Sequence, residues 1–248
     1  MKSIFIFLIF SFAFEVIVAQ SNCTDSEAQG LRKCWTDYLN NFGYNYIPSN
    51  DNYIQKDISY LSANGPAGFN KQCEWVKARN ACEQPYLADC GDAAGYSMAL
   101  NDTAVDAGKY IAADAVELWE CTDGYNLSMN NFYCIISVDS NHFLDIEFCQ
   151  LKLAADLLNA TDCKPATSYV ECIMGVYKKY CGDQGSIFGC YWGGIPMQIA
   201  FPACDAALPS CGDSSKEVDP FHNPSAKKID ETRRFYRGKQ LHRFKKLM

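Results

Sequence analysis

The stretch CEWVKARNACEQPYLADCG (residues 73–91) returns in altered form as CKPATSYVECIMGVYKKYCG (residues 163–182). Each copy holds three cysteines that are separated by seven or eight residues, and each copy ends in Cys-Gly. Cysteines nine positions apart point to nearly opposite sides of an α-helix, because 3.6 residues complete one turn. A helix that carries such a pair would be bonded to a neighbour on either flank. The spacing therefore predicts two similar disulfide-stapled helical units.

Glycine and proline set the expected ends of these helices. Gly91 and Gly182, which follow the last cysteine of each copy, suit a helix C-terminus in the left-handed conformation. Pro85 and Pro165 limit where unbroken helix can run. We expect the helix of each copy to end at or before its glycine.

Fourteen cysteines are present in the chain of 248 residues. An even count behind an export signal indicates oxidised pairs, up to seven disulfides. Zinc sites use closely spaced pairs such as C-x2-C, and the cysteines here are more widely spaced, so we predict no metal site. The predicted disulfide residues are Cys23, Cys34, Cys73, Cys82, Cys90, Cys121, Cys134, Cys149, Cys163, Cys172, Cys181, Cys190, Cys204 and Cys211.

The first 19 residues have the composition of a secretory signal peptide. Lys2 precedes the apolar run IFIFLIFSFAF, and Ala19 offers a small residue at the cleavage position. Glu15 interrupts the run, which is shorter than the roughly 20 residues needed to span a bilayer. We therefore expect a secreted, extracellular protein without a transmembrane segment in its mature form.

The cysteine counts suggest where the units divide. Six cysteines lie at or before Cys121 and eight at or after Cys134, so each half could close its own bridges. The polar segment TDGYNLSMNNF between them is a candidate junction. We interpret the chain as a signal peptide (residues 1–19), a first cysteine-rich helical unit (20–125), a second unit (126–212), and a polar linker with a basic tail (213–248).

Apolar periodicity predicts an all-α fold, a disulfide-stapled bundle of small helices. One helix is expected within residues 25–42, capped by Asp25 or Ser26, with an inward face of Leu31, Cys34, Trp35, Tyr38, Leu39 and Phe42. Another is expected over residues 145–158, with Ile146, Cys149, Leu153 and Leu157 on its inward face.

A third helix is predicted over residues 103–120, capped by Thr103. Its apolar stripe comprises Ala104, Gly108, Ile111, Ala115 and Leu118, and the carboxylates of Asp106, Asp114 and Glu117 are expected on a solvated face. Residues 43–68 show no clear period and are expected to be a long surface excursion with about one helical turn. The tyrosines of this excursion mark either a contact surface or a loop packed on its own unit: Tyr44, Tyr46, Tyr53 and Tyr60.

Catalytic motifs are not apparent in the sequence. Of the three histidines, His142 alone lies in the cysteine-rich body, where it could pair with Asp139 or Asp145; a solvated surface histidine is the commoner case. No nucleophile elbow, zinc-protease motif or phosphate-binding glycine loop is present. We expect no enzyme, no catalytic residues and no cofactor.

Charge is distributed unevenly along the chain. Residues 227–248 hold nine basic and two acidic side chains, net +7, whereas residues 20–226 hold twelve basic and twenty-six acidic side chains, net −14. A basic tail on an acidic body suits an anionic membrane or glycan, and it also resembles a precursor with dibasic cleavage sites. The basic residues are Lys227, Lys228, Arg233, Arg234, Arg237, Lys239, Arg243, Lys245 and Lys246.

Four Asn-x-Ser/Thr sequons predict glycosylation: Asn22, Asn101, Asn126 and Asn159. The signal peptide and the C-x8-C-x7/8-C-G units resemble the secreted, cysteine-rich helical domains of unknown function that are expanded in nematodes. This resemblance covers about residues 23–211 and implies no catalytic residues. A related module occurs in nematode chondroitin-proteoglycan core proteins, but the chain lacks the Ser-Gly dipeptide to which such glycans are attached.

Together these features favour a secreted, glycosylated, non-enzymatic interaction or structural protein. Its expected partner is an extracellular protein, a glycan or an anionic surface, and nucleic acid is an unsuitable partner for an exported acidic body. Two alternatives stay open. The first is a carrier that encloses an apolar ligand between its helices, and the second is a precursor that releases a basic C-terminal peptide.

Overall fold

The computed structural model describes residues 21–158 and 160–212, and over these residues it contains helices and no strand. The all-α prediction is therefore confirmed. Two short 3-10 helices, Asn40–Phe42 and Pro202–Ala207, complete the fold. The α-helices are α1 (Asp25–Leu39), α2 (Asn50–Glu83), α3 (Leu87–Cys90), α4 (Ala93–Leu100), α5 (Ala104–Glu120), α6 (Tyr125–Asn130), α7 (Phe132–Asn141), α8 (Phe143–Leu157) and α9 (Lys164–Ala200).

Helix α1 follows the sequence pattern closely. Thr24 caps it one residue before the predicted position, and Glu27 reaches back to the Thr24 backbone to form a capping box. All six residues of the predicted inward face are buried. Trp35 lies at the centre, with ring centroids of Tyr38 and Tyr110 at 5.8 and 4.8 Å. Helix α1 thus contributes the aromatic side chains of Trp35 and Tyr38 to the first core.

The region expected to be a surface excursion is largely helical. Helix α2 begins at Asn50, where the Ser49 side chain accepts a hydrogen bond from the Asn52 N–H. Tyr53, Asp57 and Leu61 recur every four residues and are all buried, so they form an inward face. The prediction was wrong because a carboxylate occupies one inward position and masks the period. The tyrosines of this region, for which a contact surface and a packed loop were the two interpretations, differ from one another: Tyr53 lies in the core and Tyr46 is exposed.

Glycines with positive φ break both long helices. Gly65 (φ 60°) precedes Pro66 in α2, and Gly182 (φ 69°) follows Cys181 in α9. The positive φ expected at Gly182 is confirmed, although the chain then resumes a helix to Ala200. Gly91 has φ −77°, so that prediction was wrong. Glycine is required there because a Cβ atom would lie 2.4 Å from the Leu87 carbonyl oxygen.

All fourteen cysteines are paired, and every bridge joins two cysteines of the same half. The central helices are stapled on both flanks, as the nine-residue spacing predicts. In α2, Cys73 bonds Cys121 and Cys82 bonds Cys34. In α9, Cys172 bonds Cys149 and Cys181 bonds Cys134.

The two halves also share one order of pairing. Among the six cysteines of the first half, the first bonds the fifth, the second bonds the fourth, and the third bonds the sixth. The second half repeats this order once its additional Cys190–Cys211 bridge is set aside. Six cysteines allow fifteen connectivities, so the agreement is informative. The matching sets are Cys23–Cys90, Cys34–Cys82 and Cys73–Cys121, and Cys134–Cys181, Cys149–Cys172 and Cys163–Cys204.

Two hydrophobic cores lie side by side, and α5 contributes to both. Tyr110 packs in the first core and Trp119 in the second. The segment expected to be a polar junction contains α6, and it buries Leu127 in the second core and Phe132 in the first. The halves therefore contact each other through packed helices, and the domain boundary at residues 125/126 stays a prediction.

Some predictions concern parts of the chain beyond this description. The signal peptide (residues 1–19), the sequon at Asn159 and the linker with its basic tail (213–248) lie outside the described residues. Within residues 21–158 and 160–212, no helix has the length and apolar character needed to cross a membrane.

Candidate functional site

A single buried guanidinium organises the polar interior of the first half. Helix α2 places Arg79 between α1 and α5, where its side chain is fully buried. Its Nη1 donates to Glu117 Oε2 at 2.9 Å, and its Nη2 donates to Asp114 Oδ1 at 2.5 Å. The guanidinium carbon also lies 4.2 Å from the Trp35 ring centroid and 4.1 Å from that of Tyr38. Two ion pairs and two cation–π contacts therefore hold this charge away from water.

Two tyrosine hydroxyls complete the hydrogen bonding of Glu117. Tyr38 donates to Glu117 Oε2 at 3.2 Å, and Tyr53 donates to Oε1. The two hydroxyl oxygens are themselves 2.7 Å apart. Both carboxylate oxygens of Glu117 thus have donors from α1 or α2, which ties three helices to one side chain.

The carboxylates of α5 are buried, so the prediction of a solvated face was wrong. Asp114 and Glu117 point toward Arg79, which supplies the charge and the donors that make their burial tolerable. Asp106 accepts a hydrogen bond from the Asn50 backbone N–H at 2.9 Å, at the start of α2. Burial raises the pKa of Asp106 to about 6. All three carboxylates are used to join α5 to α2.

The network contains more carboxyl groups than one arginine can neutralise. Burial raises the pKa of Glu83 well above its usual range, and the nearby Asp114 adds to this effect. Burial likewise raises the pKa of Asp57 well above its usual range, while Gln72 donates to Asp57 Oδ1 at 2.8 Å. Burial therefore favours the neutral forms of both surplus groups. The ion pairs of the network are those that Arg79 forms with Asp114 and Glu117.

The second half also contains a carboxyl group with a raised pKa, that of Asp139. Burial raises the pKa of Asp139 to about 7, although a hydrogen bond at 2.6 Å from the Tyr177 hydroxyl acts in the opposite direction. Burial and the proximity of Asp139 raise the pKa of Glu120 well above its usual range. Perturbed carboxyl pairs of this kind occur in active sites and also in structural networks.

The ring of His142 lies against an aromatic neighbour. Its ring stacks on Tyr180 with centroids 3.8 Å apart. Asp139 is bonded by Tyr177, and Asp145 accepts from Lys179 at 2.9 Å and from the Tyr180 hydroxyl at 2.7 Å. These two hydrogen bonds lower the pKa of Asp145, and the proximity of His142 also contributes to this lowered pKa. His142 is therefore an aromatic stacking residue at the α7–α8 corner.

Helix α8 has two apolar faces, of which the sequence pattern indicated one. Ile146, Cys149 and Leu153 are buried as predicted, and the Cys149–Cys172 bond fixes this side to α9. The other side carries large apolar groups exposed by 45 to 67 per cent. We call this set the α8 face, and it consists of Phe143, Leu144, Phe148, Leu151 and Leu158. An exposed apolar cluster on one rigid helix is typical of an interaction site.

The spacing of the α8 face could have been recognised in the sequence. Four of its large residues and the exposed Ala155 follow one another in alternating steps of four and three positions: Leu144, Phe148, Leu151, Ala155 and Leu158. This alternation is the pattern of a coiled-coil seam. The buried stripe of Ile146, Cys149 and Leu153 already satisfies the helical period, so the second apolar face is not needed to predict the helix.

Other features of the described surface offer less for binding. An open pocket of about 280 Å³ lies on the outer side of α1, lined by Gln29, Arg32, Lys33, Thr36 and Asp37, none of which belongs to either carboxyl cluster. Within the described residues, no group of three or more His, Cys, Asp or Glu side chains is arranged to hold a metal ion. The sequon residues Asn22, Asn101 and Asn126 are exposed.

The chain was also compared with known proteins. No family model, no curated protein and no solved structure matches it. The resemblance to nematode cysteine-rich domains therefore stays a proposal that rests on the cysteine spacing.

Proposed function

We propose that the protein is an exported, non-catalytic interaction module that makes its contacts through the α8 face. The observation that carries this proposal is the set of five exposed apolar side chains on a helix whose opposite side is anchored. Soluble monomers rarely expose contiguous apolar surface of this kind without using it. Seven disulfides are typical of extracellular proteins, which supports export.

The location of the perturbed carboxyl groups supports a non-catalytic role. Glu83 is buried among the helices of the first half beside Arg79 and Glu117, and the last two join α1, α2 and α5 through their hydrogen bonds. A general acid or base must approach the proton that it transfers, and these groups have no exposed surface from which to do so. Burial is the largest cause of the raised pKa values of Glu83 and Glu117, so a catalytic role is not needed to explain them.

The basic tail belongs to the same proposal as a source of electrostatic attraction. Its cationic groups would increase encounters with anionic glycans or membranes, and the α8 face would provide the specific contact. The carrier alternative receives no support from the pocket on α1, which is open to solvent and is lined by side chains of polar residue types.

A photo-crosslinking experiment tests the proposal. A benzoylphenylalanine at position 148 reports contacts of the α8 face, and the same group at the exposed Tyr46 is the matched control in the first half. We expect a discrete adduct from position 148 in extracellular fluid, removed by excess wild-type protein but not by excess Phe148→Glu protein. Equal adducts from both positions, or adducts that wild-type protein does not compete away, would contradict the proposal.

A further inference from the structure

We infer that the α8 face binds a second copy of this chain, in a parallel, two-fold symmetric pair of α8 helices. The inference rests on the proposed interaction function and names its partner. Three observations carry it: the spacing of the apolar side chains, the charges that flank them, and the area that they offer.

The spacing fits another helix with the same spacing. Leu144, Phe148, Leu151, Ala155 and Leu158 alternate in steps of four and three, so they keep to one side of α8 over four turns. A seam of this form is self-complementary, because the side chains of one helix fit between those of an identical neighbour.

The flanking charges favour a parallel arrangement. Glu147 and Lys152 lie on opposite edges of the seam, five residues apart, which is the spacing at which edge residues of two parallel helices form ion pairs. In such a pair, each Glu147 meets Lys152 of the second copy, and this happens twice by symmetry. An antiparallel pair would require Asp145 instead, but Lys179 and the Tyr180 hydroxyl already bind Asp145.

Glu147 and Lys152 lose little stabilisation within their own chain when they form ion pairs with a second copy. Within the described chain, Glu147 forms no ion pair, and Lys152 pairs with Asp156 of the next turn at 2.7 Å. Exposed pairs between positions i and i+4 contribute only about 0.3–0.5 kcal/mol. Lys152 can therefore leave Asp156 for Glu147 of the second copy.

The area indicates a reversible dimer. If each of the four large seam side chains exposes about 100 Å² of apolar surface, two copies bury on the order of 800 Å², and slightly more with Ala155, an area typical of weak, transient interfaces. The small area is partly offset by rigidity, because the Cys149–Cys172 bond and the buried side of α8 already hold the helix in its bound form. The acidic groups Asp145, Glu147 and Asp156 outnumber Lys152 on this helix, which disfavours an anionic membrane as the occupant.

Sedimentation of the full-length protein tests the inference directly. We expect mainly dimer at about 100 µM and mainly monomer at about 1 µM. Phe148→Glu should weaken association about 30-fold or more, because it places a charge at the centre of the seam. Tyr46→Glu is the matched control, since Tyr46 is an exposed aromatic residue of the first half, and it should associate like the wild type.

A charge exchange tests the parallel arrangement without removing apolar surface. Lys152→Glu places two acidic groups opposite each other and should weaken the dimer about 2–5-fold. Adding Glu147→Lys to that variant should restore wild-type association. Failure of the double variant to recover would overturn the parallel pairing.

The remaining outcomes separate this inference from the proposed function. A wild-type protein that is monomeric at about 100 µM overturns the second copy as partner. If that monomer still gives a competable crosslink from position 148 to another protein, or binds vesicles of neutral phosphatidylcholine in a Phe148-dependent way, the α8 face remains an interaction site with a different occupant. If position 148 gives no competable contact at all, the proposed function fails as well.

Discussion

Residues 20–125 and residues 126–212 share one disulfide connectivity, yet they place charge and apolar surface in opposite locations. The first half contains every buried ionisable acidic or basic residue of the described chain: Asp57, Arg79, Glu83, Asp106, Asp114 and Glu117. In the described part of the second half, Ser128 is the buried polar residue. Eight large apolar side chains are exposed over residues 21–158 and 160–212; six of them belong to the second half, and five of these form the α8 face.

The difference shows how much of the fold the bridges determine. Each set of three bridges ties a central helix to neighbours on both flanks, so the arrangement does not depend on one particular interior. The first half can therefore hold an ion network whose burial removes charges from water, a change that often brings no net stability. The second half has an apolar interior, an additional bridge and an apolar outer face. We infer that the first half serves mainly as a support and the second half mainly as a contact surface.

The largest predicted effect is the loss of Arg79. Arg79→Met leaves Asp114 and Glu117 buried without their cation, and we expect a loss of about 3–5 kcal/mol in the free energy of unfolding. Arg32→Met is the matched control, because Arg32 lies on the exposed side of α1, and its effect should stay within about 0.5 kcal/mol. Guanidinium unfolding of the non-reduced proteins measures both.

A triple variant tests whether charge is the cause. In Arg79→Met/Asp114→Asn/Glu117→Gln the partners no longer carry charge, so part of the lost stability should return. If Arg79→Met loses less than about 1 kcal/mol, the network does not support the first half in the way proposed here.

A smaller, pH-dependent effect is expected in the second half at Asp139. The folded chain keeps this carboxyl protonated up to about pH 7, whereas in the unfolded chain it ionises near its ordinary pKa of about 3.9. Its contribution to stability is therefore complete below about pH 4 and is lost as the pH rises through 7. Asp139→Asn cannot ionise and still accepts the Tyr177 hydrogen bond. A difference of about three pKa units corresponds to roughly 4 kcal/mol for a fully buried group. Because Asp139 is only half-buried, Asp139→Asn should gain about 2–4 kcal/mol relative to wild type between pH 4 and pH 8.

Unfolding curves at several pH values measure this change. Ser140→Ala on the exposed side of the same helix retains Asp139 and should keep the wild-type pH dependence. Parallel curves for wild type and Asp139→Asn would show that Asp139 ionises equally easily in the folded and unfolded chains. They would contradict the pH-dependent contribution of Asp139 to the stability of the second half.

The sequence predicted the features that depend on local spacing. The all-α fold, the double stapling of the central helices and the inward face of α1 follow from periods that are visible within one segment. The burial of Asp114 and Glu117 was not predictable in this way, because their partner Arg79 lies more than thirty positions earlier in the chain. Helix α2 was missed for a related reason, since Asp57 faces inward where an apolar residue would have revealed the period.

The smallest predicted effect concerns stability at the α8 face, and it sharpens the assignment of this surface to contact. Leu144→Gln alters a side chain that is 64% exposed, so the monomer should change by no more than about 0.5 kcal/mol. Leu153→Gln, on the buried side of the same helix, is the matched control and should lose about 2–5 kcal/mol. The measurement is made near 1 µM, where association does not contribute. A loss above about 1 kcal/mol for Leu144→Gln would place this side chain in the core and remove it from the contact surface. A near-zero change, combined with weaker self-association, would show that the exposed residues of α8 are dispensable for folding and are used between molecules.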